Sequence, residues 1–151
     1  MSKAYDANSM KVLKGLEAVR TRPTMYIGSL GEAGRDHCAK EIVDNSVDEA
    51  LAGHCTVIDV IIDTAANYVT IRDNGRGIPT GINKEEGISG IEIAATHLHG
   101  GGKFDSDSYK TSGGLNGVGL SAVNALAEHM EVSVTQNDEK HTYTFSRGVK
   151  T

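Results

Sequence analysis

Tryptophan is absent from this 151-residue chain, proline occurs twice and cysteine twice. Two cysteines, Cys38 and Cys55, cannot build a disulfide framework. Together with six histidines they show no zinc-ligand spacing, and His97-x-His99 reads as loop and helix-end chemistry. Apolar runs extend for only a few residues, so nothing spans a membrane. Met1 to Met10 has no apolar signal core, which predicts a cytoplasmic protein. Positive charge is also short: 15 Lys and Arg against 20 Asp and Glu give −5. Such a chain has no concentrated basic patch with which to clamp nucleic acid by itself. Apolar residues at 38% with 18 Gly place it among ordinary globular proteins and exclude wholesale disorder. The length fits one domain, residues 1–151, without internal repeats or a dividing linker.

Glycine is the residue in excess, at nearly twice the usual share of roughly 7%. Three groups carry it: Gly75, Gly77 and Gly81; Gly100 to Gly102; and Gly113, Gly114, Gly117 and Gly119. Each group borders a periodic segment, unlike the Gly-Ser mixture of a linker.

Apolar spacing predicts a helix over 10–20, stopped by Pro23, and a short extended piece at 25–27. A second helix is predicted from about Gly34 to Ala52, closed by Gly53. Ile58 to Ile62 and Val69 to Arg72 alternate as two strands of a hairpin, followed by a turn-rich stretch at 73–79. Further helices are expected at 88–98 and 117–128, with a mobile loop at 99–116 between them. A last hairpin sets Val132 and Val134 against Tyr143 and Phe145, turned at Asn137-Asp138. This order predicts an α+β fold: a two-layer α/β sandwich, with helices on one face of a mostly antiparallel sheet.

On the second helix Glu41, Asp44, Asn45, Asp48 and Glu49 fall within an arc of about 140°, with Val43, Val47, Ala50 and Leu51 opposite. Periodicity alone makes this an ordinary solvated face. Yet no Lys or Arg interrupts it from Glu41 to Gly53, and an amide, Asn45, stands one turn after Glu41. Carboxylate and amide oxygens stacked in this way suit Mg2+ held together with waters and phosphates. A carboxylate one turn away could orient or deprotonate a water.

Asp73-Asn-Gly75-Arg-Gly77-Ile-Pro79 follows a strand. It is turn chemistry, but its glycines also let backbone approach a flat ligand while Asp73 accepts from an exocyclic amine. Ser112 to Gly119 opens directly into a helix, whose free N–H groups and dipole favour an anion. Lys103 adds a positive charge nearby. A Walker loop is excluded, because Gly102-Lys103 is followed by Phe104 and preceded by His97 at the first glycine position. Gly117-Val-Gly-Leu-Ser-Ala122 matches a dinucleotide fingerprint, but no strand precedes it and the hairpins oppose the parallel sheet that motif needs. There is no G-x-S-x-G elbow.

Taken in order, an acidic helix with Glu and Asn one turn apart, Asp-x-Gly-x-Gly, and Gly-x-x-Gly-x-Gly opening a helix resemble the Bergerat-type ATP-binding fold of DNA gyrase, heat-shock chaperones, sensor histidine kinases and mismatch-repair proteins. The flanks resemble the gyrase B-subunit family, with the paralogous topoisomerase IV protein close behind. They are Val12 to Gly28 with its Arg-x-Arg-Pro-x-Met-Tyr-Ile-Gly, Ile42 to His54, Asp73 to Ile82, Gly101 to Phe104, and Tyr109 to Leu115.

The resemblance implies ATP and Mg2+ as ligands and a role for each matched residue. Glu41 would be the general base and Asn45 the Mg2+ ligand. Asp73 would take the adenine amine, with Gly77 reaching the ring through water. Arg76 would cover the adenine face and pair with Glu49, and Ile78 and Pro79 would line the pocket. Lys103, Tyr109 and the run Gly113, Gly114, Leu115, Asn116, Gly117, Val118 and Gly119 would close a lid, 99–116, over the phosphates. An N-terminal arm carrying Tyr5 would reach a second copy of the chain. Implied partners are the gyrase A protein and double-stranded DNA, through domains outside this chain, and coumarin-type inhibitors.

The chain departs from the pattern at Thr21, Thr24, Gly100, Asn116 (usually His) and Gln136 (usually Arg, at the pocket rim). Gln136 is expected to weaken coumarin binding. The family's ATPase domain continues past Thr151 and a transducer domain supplies a phosphate-facing Lys, so a fragment or shortened relative that hydrolyses ATP slowly is expected. A nucleotide-gated dimerisation module without useful catalysis is the alternative from outside enzymology.

Overall fold

Pro23 lies between two helices and shapes both. The computed structural model describes residues 15–98 and 119–151. In it α1, Leu16–Thr21, stops at Arg22, whose extended φ of −135° is what a residue before proline adopts. Pro23 itself is helical (φ −61°, ψ −34°) and its carbonyl accepts from the Tyr26 and Ile27 amides. Residues 24–27 therefore form a single turn, α2 (Thr24–Ile27), and not the extended piece expected from sequence. A proline preset to helical φ starts a helix as readily as it ends one. The first helix is also shorter than its apolar spacing suggested: Gly15 at φ +57° precedes Leu16, and 10–14 lie outside the described residues.

The long helix α3 spans Glu32–Leu51, with Gly53 beyond it at φ +87°. Its glycine, Gly34, sits against the backbone carbonyl of Ser29, where any Cβ would collide. β1 (Ile58–Asp63) and β2 (Tyr68–Asp73) form the expected hairpin, with Val60 opposite Ile71 and Ile62 opposite Val69. α4 is Gly90–Thr96, two residues shorter at each end than expected. Ser89 caps it by accepting from the Glu92 amide at 3.2 Å, half of a Ser-x-x-Glu capping box.

After α5 (Gly119–Leu126), β3 (Met130–Gln136) and β4 (Glu139–Ser146) pair antiparallel. Asn137 and Asp138, both at positive φ, make a two-residue turn that suits right-twisted strands. Arg147 and Gly148 repeat the device and add β5, Val149–Lys150, which the periodicity did not signal. Lys150 ties that strand to α4 through Glu92 at 2.5 Å.

The fold is thus α+β, and the strand pairs of the described residues are antiparallel. Among the described residues the pairing divides into two sheets, β1–β2 and β3–β4–β5, where one was expected. Tyr68 of β2 lies edge-on to His129, the residue before β3, with ring centroids 5.8 Å apart. A small core joins α1 to α5 through Val19, Ala122 and Ala125, flanked by Leu16, Tyr26, Leu98 and Leu126. Arg20 fastens the same pair of helices by donating to the Ala125 carbonyl at 2.7 Å.

Candidate nucleotide-binding site

Helix α3 is turned with its polar stripe inward. Glu41, Ser46 and Asp48 are buried, at 8%, 3% and 3% exposure, while Leu51 on the apolar side is 60% exposed. An amphipathic helix in water does the opposite. Burying ionisable groups is costly unless they are partnered, and Glu41 and Ser46 each face a specific neighbour.

At the N-terminal end of the stripe, Glu41 meets the start of α5. A Cβ built on Gly119 would fall 2.5 Å from Glu41 Oε2. Glycine is what lets the amide-rich, electropositive helix start come so close to a carboxylate. His37, one turn before Glu41, brings Nε2 to 3.2 Å from Glu41 Oε1. That ring nitrogen is buried and makes no aligned hydrogen bond among the described residues. Cys38 lies on the same turn. Burial, and then the charge of Glu41, push its thiol above the ordinary range.

In the middle of the stripe, Asn45 is half-buried and Ser46 reaches β2. The Ser46 hydroxyl donates to Asp73 Oδ2 at 2.5 Å, and the Gly75 amide donates to Asp73 Oδ1 at 3.0 Å. Asp73 is otherwise exposed, so both oxygens keep capacity to accept from a further donor. Asn74 fixes the strand end by accepting from the Thr56 and Val57 amides at 2.8 and 3.0 Å.

At the C-terminal end, Glu49 holds Arg76 three ways. It accepts from the Arg76 amide at 2.8 Å, from NH2 at 2.7 Å and from Nε at 3.3 Å. Gly75 passes so near that a Cβ would lie 2.7 Å from Glu49 Oε2. Gly77, at φ +81°, carries the chain under Val134, and Pro79 packs its carbonyl on Gly90 of α4. Ile78 is half-buried and Pro79 exposed.

Glu41, Asn45 and Glu49 on α3, Asp73 at the end of β2, Arg76, Gly77, Ile78 and Pro79 on the turn after it, and Gly119 at the start of α5 thus lie on adjoining elements. Asp44, in the same sequence arc, instead pairs outward with Lys40 at 2.8 Å. Lys103, Tyr109, Gly114, Leu115, Asn116, Gly117 and Val118 lie outside the described residues, as does Tyr5. Sequence reasoning missed His37 and Ser46. His37 could have been found from its four-residue spacing to Glu41; a serine beside an asparagine carries no comparable signal.

The described side chains make no metal centre by themselves. Among the described residues no group of three His, Cys, Asp or Glu could hold an ion. One amide oxygen on Asn45 suits Mg2+ only where phosphates and waters complete the shell.

A profile described as "Histidine kinase-, DNA gyrase B-, and HSP90-like ATPase" matches residues 32–148. The chain is 56% identical over 147 residues to the DNA gyrase B subunit of Borreliella burgdorferi, covering 97% of this chain and 23% of that one. It is 56% identical over 144 residues to the DNA gyrase B subunit of Thermotoga maritima, covering 95% and 22%. The crystal structure of the 43K ATPase domain of Thermus thermophilus gyrase B in complex with an aminocoumarin superposes with a TM-score of 0.77 at 45% identity, over 92% of this chain and 33% of that one. The chain therefore spans less than a quarter of the length of these curated relatives.

Proposed function

This chain belongs to the family of histidine kinase-, DNA gyrase B- and HSP90-like ATPases, and we propose that it is the ATP-binding and ATP-hydrolysing part of the B subunit of a type IIA topoisomerase. The observation that carries the reading is the bond from Ser46 to Asp73. It ties the carboxylate that would face the base to the same helix that carries Glu41 and Asn45.

Asp73 would accept from the adenine amine, on a turn that Glu49 fixes through Arg76. Asn45 would hold Mg2+ with the phosphates, and the bound triphosphate supplies the phosphorus that is attacked. Glu41 would orient a water and take its proton, with His37 Nε2 3.2 Å from one oxygen and the α5 start beside the other. Catalysis of this kind is positioning and charge neutralisation.

In the whole protein, nucleotide binding would close two copies together and drive DNA passage with the gyrase A protein. The aminocoumarin in the Thermus thermophilus structure suggests the same ligand class here, bound weakly because Gln136 replaces the usual Arg. No helix among the described residues is long and apolar enough to cross a membrane, and a cytoplasmic location fits the topoisomerase reading.

ATPase rates of the wild-type chain and Glu41→Ala, compared at matched nucleotide occupancy, test it. A loss of tenfold or more in the variant is expected. Equal rates, both at background, with nucleotide still bound, would instead make the chain a nucleotide-gated dimerisation module.

A further inference from the structure

The base-side turn is gripped from two directions, and only the Glu49 grip belongs to α3. The other comes from Gln136, the last residue of β3. Its Nε2 donates to the Arg76 carbonyl at 3.0 Å. Its Oε1 accepts from the Thr80 hydroxyl at 3.1 Å and from the Thr80 amide at 3.3 Å. One carboxamide therefore bridges residues 76 and 80 and closes the segment Gly77-Ile78-Pro79 between them. Gly77 sits beneath, where a Cβ would be 3.4 Å from Gln136 Nε2.

We propose that Gln136 is a positioning residue for the nucleotide base: it sets the placement of Gly77, Ile78 and Pro79 without touching the nucleotide. The inference rests on the nucleotide-site reading above. The chemistry of the clasp is selective. It needs a donor and an acceptor on one group with the reach of a glutamine. Glutamate would keep the bonds from Thr80 but turn a second acceptor toward the Arg76 carbonyl. Methionine, of similar length, keeps neither. Arginine, which the resemblance places here in relatives, has donors only and cannot accept from Thr80. This clasp is therefore a feature of this chain's own side chain. Arg76 has its second anchor at Glu49, but among the described residues Thr80 is held by Gln136 alone through its backbone amide.

The test compares wild type, Gln136→Met and Gln136→Glu in calorimetric titrations with adenosine, a non-hydrolysable ATP analogue and Mg2+-tripolyphosphate. Amide exchange at Thr80 and the thermal midpoint are read alongside. The expected result is a loss of about tenfold for adenosine and the ATP analogue in both variants, equivalent to one or two net hydrogen bonds. Tripolyphosphate, which has no base, should bind wild type and variants alike. Thr80 exchange should accelerate in Gln136→Met with the thermal midpoint nearly unchanged. Unaltered adenosine affinity together with faster Thr80 exchange would overturn the positioning role. So would equal losses for adenosine and tripolyphosphate, which would mark a general structural contribution. Failure of wild type to bind any of the three ligands would overturn the nucleotide reading itself, and the positioning role with it.

Discussion

Ser46 and Asp73, 27 positions apart in sequence, share a hydrogen bond of 2.5 Å that joins the buried stripe of α3 to the end of β2. Through it a helix residue next to Asn45 orients the carboxylate that would read the base. Asp73 Oδ1 accepts from the Gly75 amide, and Oδ2 accepts from Ser46.

Ser46→Ala is expected to lower nucleotide affinity more than it lowers stability. Asp73 is exposed and can be rehydrated, so the fold should lose about 1 kcal/mol in a urea titration. The freed carboxylate loses its fixed rotamer. Affinity for a non-hydrolysable ATP analogue should fall about fivefold to tenfold. Equal affinity for both proteins would show that the bond does not position Asp73.

Gly119→Ala separates chemistry from stability. The new methyl would meet Glu41 Oε2, the far end of a side chain that can rotate away. The backbone of α5 then stays in place, and alanine is no worse than glycine in a helix. Thermal unfolding should change little, while ATP turnover falls by about tenfold to a hundredfold because Glu41 is displaced. Unchanged turnover would remove Glu41 from the reaction.

Cys38 reports on the charge of Glu41. Burial first, and then that carboxylate, raise the thiol's pKa, so it stays protonated above the ordinary value of about 8.5. Only the thiolate is alkylated, so iodoacetamide labelling of Cys38, read by peptide mapping apart from the buried Cys55, should rise late in a pH series. In Glu41→Gln one raising influence is gone and the midpoint should move down. It should remain above the ordinary value, because burial persists. A midpoint that moves up would contradict a charged Glu41 beside this thiol.

Much of the fold was legible because its signals are local. The β1–β2 alternation, the Asn137-Asp138 turn and the Gly53 stop each depend on a few neighbouring residues. The errors were local too: Pro23 carries the same φ whether it ends a helix or begins one, and two-residue β5 is too short for periodicity to register. The direction in which α3 faces was harder to read. Its stripe looks like a solvated face until β2, the 74–80 turn and α5 are packed on it, and that packing is long-range. For the same reason Asp73 and Gly119 could be named from glycine patterns, while Ser46 and the bonds of Gln136 could not. Those depend on contacts spanning 27 to 60 residues.

The most direct test is a calorimetric titration of the chain with a non-hydrolysable ATP analogue, with and without Mg2+, for wild type and Asp73→Asn. The expected result is one site per chain, tighter binding with Mg2+, and a loss of roughly tenfold to a hundredfold in the variant, the worth of a charge-assisted hydrogen bond. No binding by wild type, or equal binding by Asp73→Asn, would contradict a nucleotide site built on this carboxylate.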